Sequence, residues 1–262
     1  MTIKQAVPGN MDIKDSNAAN RGFYDVLWSE THLERPDRFN TWPLISEYLP
    51  LAPVRLEIGP GLRPRLPISG THFVDISPPV IERLTTCGGI AVRAGITDLP
   101  FSDETFELVV AFDVVEHTED DRRIFGEVSR VLKEGGILIF SVPLHAELWT
   151  EFDDFVGHVR RYDPADLLAL FAAHDLVLEK SAAYGMQPAN PRLLNFGLWW
   201  LKHRRREAMW WYNRVLLPLG MLFQKRLKFV GGMIVADGVD EIVLVCRKRT
   251  GPLSRDQKNS DV

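Results

Sequence analysis

Three groups of residues have the types and spacing to do chemistry. The first is Glu57-Ile-Gly59-Pro-Gly61, where the short apolar run Val54 to Ile58 breaks into a glycine turn. Such a turn lets main chain approach a ligand closely. The second is Asp75, which ends another apolar run, His72-Phe73-Val74. An acid at a strand tip is placed to hold two ribose hydroxyls. Glycine turn plus acid therefore reads as a nucleoside site, and this pair does not say which nucleoside. The third group is His117, and His158 within Phe155-Val-Gly-His-Val-Arg-Arg-Tyr162. Imidazole titrates near neutral pH and suits proton transfer or orientation of an acceptor. Arg160, Arg161 and Tyr162 would gate the site or bind an anion, or the whole Gly157–Tyr162 run would only anchor the next helix. No His/Asp/Cys cluster has metal-ligand spacing, so no metal is expected. Asp153 and Asp154 read as solvated loop acids.

These residues need strands behind them. Val54–Ile58, His72–Val74, Ile90–Arg93, Phe106–Phe112, Ile137–Val142, Leu176–Ala183 and Glu241–Cys246 read as buried strands. Between them, residues 37–49 suggest a helix with Pro43 in its first turn or at its true start. Residues 78–87, 120–132 and 163–171 are also helical, the last opened by Asp163-Pro164. The alternation implies a parallel sheet with helices on both faces. One crossover is unusual. Pro60, Pro64 and Pro67 lie between Gly59 and Asp75 and would break a helix. This predicts a loop or single turn, with some other element covering that part of the sheet. Leu144 to Asp163 reads as a long loop, a common place for function.

At 262 residues the chain suits one large domain, or one domain with an insertion. The net charge of −4 gives no reason to expect a nucleic-acid partner. Residues 192–235 carry nine Lys/Arg and one Glu, a local +8, which leaves −12 for the rest. Cys87 and Cys246 lack metal spacing and read as free thiols of a reducing compartment. The first twenty residues are polar and aperiodic, without a signal-peptide core, which suggests a mobile tail and a cytoplasmic protein. Phe23, Tyr24, Leu27 and Trp28 recur at helical spacing, as a lid or a packed helix face. Residues 250–262 read as a second tail.

Four motifs in order, Glu57–Gly61, Val74-Asp75-Ile76-Ser77, Gly95-Ile-Thr-Asp98-Leu-Pro-Phe101 and Phe112-Asp-Val-Val-Glu-His117, resemble the class I S-adenosylmethionine-dependent methyltransferases of small molecules. The likeness covers roughly residues 54–183 and resumes near 240. It implies an α/β, Rossmann-like, doubly wound sheet of seven strands, mostly parallel with an antiparallel last strand, in a domain spanning 21–249. It implies S-adenosyl-L-methionine as cofactor. Gly59 and Gly61 would contact its methionine part through main chain, and Glu57 would offset its positive charge. Asp75 would hold the ribose and Ile76 would face the adenine. Asp98 would accept from the adenine amino group, with the Leu99 backbone reading the ring edge. Asp113 and Val114 would touch the methionine end, and His117 would lie near the methyl. Arg63 departs from the family, which usually has a third glycine there.

The stretch 184–236 between strands six and seven is the other departure. It holds Leu193–Leu201, Lys202-His-Arg-Arg-Arg206, Met209-Trp-Trp-Tyr212 and Val215–Phe223. None of these reaches the ~20 apolar residues that span a bilayer. Two readings stand together: a helical cap over the substrate pocket, and an aromatic, basic face for an anionic membrane surface through 192–235. A dimer interface is a third, and the sequence does not define the oligomeric state. The function expected is methyl transfer to a hydrophobic or lipid-linked small molecule, at oxygen, with His158 as base or orienting group. The alternatives are an NAD-type oxidoreductase and a cofactor-binding or membrane-associated module without catalysis.

Overall fold

The computed structural model describes residues 31–185 and 191–251. The expected tail 1–20, the Phe23–Trp28 segment and residues 252–262 lie outside the described residues. The sheet consists of β1 (Arg55–Ile58), β2 (Thr71–Asp75), β3 (Ile90–Arg93), β4 (Phe106–Phe112), β5 (Leu132–Pro143), β6 (Leu176–Tyr184), β7 (Val230–Gly231) and β8 (Glu241–Lys248). Their order is β3-β2-β1-β4-β5-β8-β6-β7. The first five strands are parallel, and β8 runs antiparallel between β5 and β6. The strand beyond the expected seven is β7, a two-residue edge ladder against Lys180 and Ser181. β5 starts at Leu132, earlier than the apolar run predicts. Phe106 pairs with Leu132, and the register then shifts to Leu108 opposite Ile137. Gly135, at φ +71°, takes up the bulge.

Successive strand residues serve opposite cores, because side chains alternate across a sheet. Ile242, Leu244 and Cys246 of β8 join Val109, Ala111, Leu138 and Phe140 on one face. Val243 and Val245 join Leu108, Val110, Ile137 and Ile139 on the other. Each central strand is thus apolar on both faces, which is why it reads as a continuous run. Helices α2 (Pro78–Thr86), α3 (Asp121–Val131), α4 (Glu151–Val156) and α5 (Pro164–Ala173) are connections of the sheet, preceded by α1 (Trp42–Tyr48). α1 begins with Pro43 in its first turn, where the missing N–H is harmless.

The first crossover contains no helix. Residues 59–70 instead form a loop that seats Leu66 in the second core beside Leu44 and Ile45 of α1. All three side chains are fully or almost fully buried, worth about 1.5–3 kcal/mol each. Helix α1 and this loop therefore cover the region a crossover helix would occupy. Leu227 and Phe229, from the end of the insertion, add to the same cluster.

The insertion folds as α6 (Pro191–His203), α7 (Arg205–Trp211), a π-helical turn (Tyr212–Leu216) and α8 (Leu217–Leu222). No helix among the described residues is long and apolar enough to cross a membrane. Leu217 and Met221 pack on Phe39, and Met209 packs on Val156 of α4. Arg63, in place of a glycine, is the clamp from the first crossover. Its Nη2 donates to Asn213 Oδ1 at 2.9 Å, and its guanidinium carbon lies 5.1 Å from the Tyr212 ring centroid. Arg63→Ala should lower the local stability of 205–222 by about 1–2 kcal/mol, from a charged hydrogen bond and a cation–π contact. Hydrogen exchange would read this as roughly ten-fold faster exchange there, with β1, β4 and β5 unchanged.

Candidate active site

Register brings the expected residues to one edge. Ile58 sits opposite Val74 and opposite Ala111, so the carboxyl ends of β1, β2 and β4 coincide, where open α/β sheets bind ligands. Gly59, at φ +62°, donates its N–H to Val74 O at 2.8 Å. A Cβ there would lie 2.5 Å from Val114 Cγ2, so only glycine lets the tip of β4 close over the turn. Gly61 donates to Asp75 Oδ2 at 3.1 Å, and Ser77 donates to Asp75 Oδ1 at 2.8 Å. The acid and the glycine turn are thus one hydrogen-bonded unit. Burial pushes the Asp75 carboxyl up, against the lowering by the amides of Ser77 and Gly61. Ile76 is 39% exposed beside it.

Glu57 does more than the sequence suggests. Its carboxylate accepts from the amides of Arg65 at 2.8 Å and Leu66 at 2.9 Å, holding the crossover loop. Burial raises this carboxyl to about 7 despite those two bonds. Arg65 then extends across the sheet, its guanidinium carbon 3.7 Å from the Phe39 ring centroid and Nη2 3.1 Å from Tyr184 Oη.

The segment expected to read the adenine is held from behind by α3. Arg123 Nε donates to Thr97 O at 2.8 Å and Arg130 Nη1 to Phe101 O at 2.7 Å. The Leu99 N–H donates to Glu127 Oε2 at 2.8 Å, and its carbonyl accepts from Arg130 Nη2 at 3.0 Å. Both polar groups of the Leu99 main chain are engaged within the protein, which corrects the expectation that they read a ring edge. Asp98 stays exposed at this rim. Glu127 and Arg130, which the sequence reading passed over, carry an i, i+3 ion-pair signal on α3.

Asp113 adopts φ +55°, a conformation that costs energy for a non-glycine residue. Ser141 of β5 holds it there, accepting the Asp113 N–H at 3.0 Å and donating to Oδ1. Glu116 and Glu241 lie nearby, and burial, then the Asp113 charge, raises both carboxyls well above the usual range.

The two candidate histidines come together. Their ring centroids are 4.8 Å apart. His117 Nδ1 lies 3.1 Å from Gly157 O, and His158 Nδ1 lies 2.8 Å from Asp153 Oδ1. Burial, then the neighbouring His158, lowers His117 to about 4, so it is neutral at pH 7. Asp153 is not a solvated loop acid. It is fully buried, caps α4 with Thr150, and accepts from Arg161 Nε at 2.9 Å and Nη2 at 3.0 Å. Burial would raise its carboxyl, but the bonds from His158, Arg161 and Thr150 outweigh that and hold it well below the usual range. The arginines are likewise engaged. Arg161 also donates to Asp240 Oδ1 at 2.8 Å, and Arg160 pairs with Asp121. Tyr162 is buried. The expectation that this trio gates the site or binds an anion is corrected, because internal acids already hold both guanidinium groups. The supposed long loop is ordered around Asp153.

The fold is a mostly parallel α/β sheet with a glycine turn, a buried acid and two histidines gathered at its carboxyl edge. A family model described as a methyltransferase domain matches residues 63–140. An uncharacterized methyltransferase of Mycobacterium sp. (strain KMS) is 27% identical over 203 residues, covering 68% of this chain and 79% of that protein. A rice 2-methyl-6-phytyl-1,4-hydroquinone methyltransferase is 26% identical over 153 residues, covering 57% of this chain and 40% of that protein. Among solved structures, an S-adenosylmethionine-dependent methyltransferase from Thermotoga maritima superposes with a TM-score of 0.52 at 16% identity, covering 89% of this chain and 92% of that one; this likeness shows the fold. Together these likenesses support a class I S-adenosylmethionine-dependent methyltransferase.

Because Glu57 is raised from 4.5 to about 7, the folded chain holds this proton more tightly than the unfolded chain. Its contribution to stability therefore falls as pH rises from about 4.5 to about 7, by roughly 3 kcal/mol in all. In urea unfolding at pH 5 and pH 8, Glu57→Gln should lose stability overall but show a visibly flatter pH dependence than the wild type.

Proposed function

We propose that this enzyme methylates a hydroxyl of a hydrophobic, lipid-like small molecule at the carboxyl edge of the sheet, beneath the helical insertion. Gly59, Gly61, Asp113 and Val114 line the methionine side of the cofactor. Asp75 holds the ribose, and Ile76 and Asp98 flank the adenine. Glu57 acts by shaping the loop. His158, with His117 beside it, contacts the acceptor. In the transfer, an acceptor oxygen lone pair forms the new O–CH3 bond. The S–CH3 bond breaks, its electron pair stays on sulfur, and the hydroxyl proton passes to solvent water. The leaving group is already activated by its charge, so alignment and exclusion of water do most of the work.

The observation that carries the acceptor class is the surface of the insertion. Trp199, Trp210, Trp211, Leu222 and Phe223 are 42–77% exposed among Lys202, Arg204, Arg206 and Arg214, all exposed. Aromatic residues interleaved with cations suit the boundary of an anionic membrane. The same insertion is clamped to the cofactor turn through Arg63 and to the His158 segment through Val156. A face that rests on lipid would thus adjoin the reacting edge. The rice relative is named for a phytyl-bearing hydroquinone, which agrees with an acceptor of this kind.

Calorimetry should show binding of S-adenosylmethionine and S-adenosylhomocysteine but not NAD, and Asp75→Asn should weaken both sulfur ligands ten-fold or more. With a radiolabelled methyl donor and lipid extracts as acceptor source, His158→Ala should lose most turnover while keeping cofactor affinity; full turnover would remove His158 from the acceptor side. The intact protein should float with anionic vesicles and not with zwitterionic ones. The triple variant Arg204→Gln, Arg206→Gln, Arg214→Gln should lose flotation, at about 1 kcal/mol per charge. Failure of the wild type to float would overturn the membrane reading.

A further inference from the structure

Beyond methyl transfer, we propose that Glu116, His117 and His158 form a divalent-metal site with a His2Glu donor set. One ligand atom from each residue lies within 4.8 Å of the others. Glu116 and His117 belong to the 3-10 turn that follows β4, at Val115–His117. His158 comes from the segment after α4, forty-one positions further along. The backbone already joins the two, since Val159 N donates to Glu116 O at 2.9 Å.

The hydrogen bonds fix which nitrogen faces the centre. The Gly157 carbonyl can only accept, so His117 carries its proton on Nδ1. The Asp153 side chain already accepts from Arg161 Nε and Nη2 and serves as acceptor here too, so His158 carries its proton on Nδ1 as well. Both Nε2 atoms are therefore the lone-pair atoms a metal requires. A ligating histidine whose other N–H is held by a carboxylate or a carbonyl is the usual outer shell of a metal centre. Arg161 and Thr150 in turn immobilise Asp153.

Glu116 supplies an independent observation. It is 1% exposed, and its Oε2 has no hydrogen-bond partner. Its Oε1 lies 3.7 Å from His158 Nε2, beyond a hydrogen bond. A purely structural Glu–His pair would close that distance, since a buried carboxyl oxygen left without a partner is costly. Ligand atoms standing apart in this way leave room for an ion about 2.0–2.2 Å from each. Two imidazoles and one carboxylate favour Zn2+ and its borderline neighbours over Mg2+ or Ca2+, and three protein ligands leave a further coordination position. The ion would pin the turn after β4 to the segment after α4, and so fix the acceptor side of the edge. This holds whatever the acceptor proves to be.

The test uses tag-free, full-length protein, stripped with chelator and titrated with Zn2+ alone. The expected result is one Zn2+ per chain, a rise in melting temperature on loading, and X-ray absorption spectra showing two imidazole nitrogens and one carboxylate oxygen. His117→Ala and Glu116→Gln should each weaken Zn2+ at least hundred-fold. S-adenosylhomocysteine affinity serves as the measure that each variant is folded. Where a variant does not fold, the absorption spectrum of the loaded wild type decides. Substoichiometric zinc, a first shell without two imidazoles, or unchanged affinity in folded variants would each overturn the proposal.

Discussion

A single buried carboxylate holds the architecture together. Glu57 accepts the amides of Arg65 and Leu66 and so fixes a loop where a crossover helix would otherwise lie. Three consequences follow from that loop. Leu66 enters the second core. Arg65 crosses to Phe39 and Tyr184, tying the loop to both the chain before β1 and the end of β6. Arg63 reaches the insertion at Asn213. Without the two amide bonds, a loop interrupted by Pro60, Pro64 and Pro67 would have no helical ladder to order it. The helix-free crossover and the insertion are therefore linked, since Arg63 of that loop fastens the insertion.

A second buried carboxylate organises the opposite side. Asp153 caps α4, receives two bonds from Arg161 and one from His158, and converts an apparent loop into a rigid support. Its ionised state is held by donors, whereas burial and then the Asp113 charge push Glu116 and Glu241 toward the neutral form. Burial is common to all three, and the neighbouring donors and charges decide which carboxylate keeps its charge.

Most of the sheet was legible because its strands are apolar on both faces, so periodicity and turn residues mark them out. β3 and β4 match their apolar runs residue for residue, while β5 begins five residues early because a bulge at Gly135 lets it pair before the run starts. The two-residue β7 was not legible, since an edge ladder needs no apolar pattern. The sharp turn at Gly59 and Gly61 and the strand end at Asp75 were readable because turn geometry and strand ends leave local signatures. Leu99 was misjudged because its partners, Glu127 and Arg130, come from a helix whose docking a linear reading does not give. Asp153 looked like any loop acid, since burial of a charge depends on groups distant in sequence.

The sequence by itself determined the strand-and-helix alternation, the sharp turn after β1 and the absence of a first crossover helix, and its likeness to a known family implied the cofactor class. The first three rest on local stereochemistry: apolar period, glycine freedom, proline's missing N–H. Only the tertiary structure decided that Arg63 clamps the insertion, that the arginines after His158 serve internal acids, and that Glu116, His117 and His158 meet. Chain spacing showed no metal ligands there, because the two halves of that cluster follow different strands. They become neighbours through the parallel pairing of β4 with β5, a hydrogen-bonded register that no stretch of sequence contains.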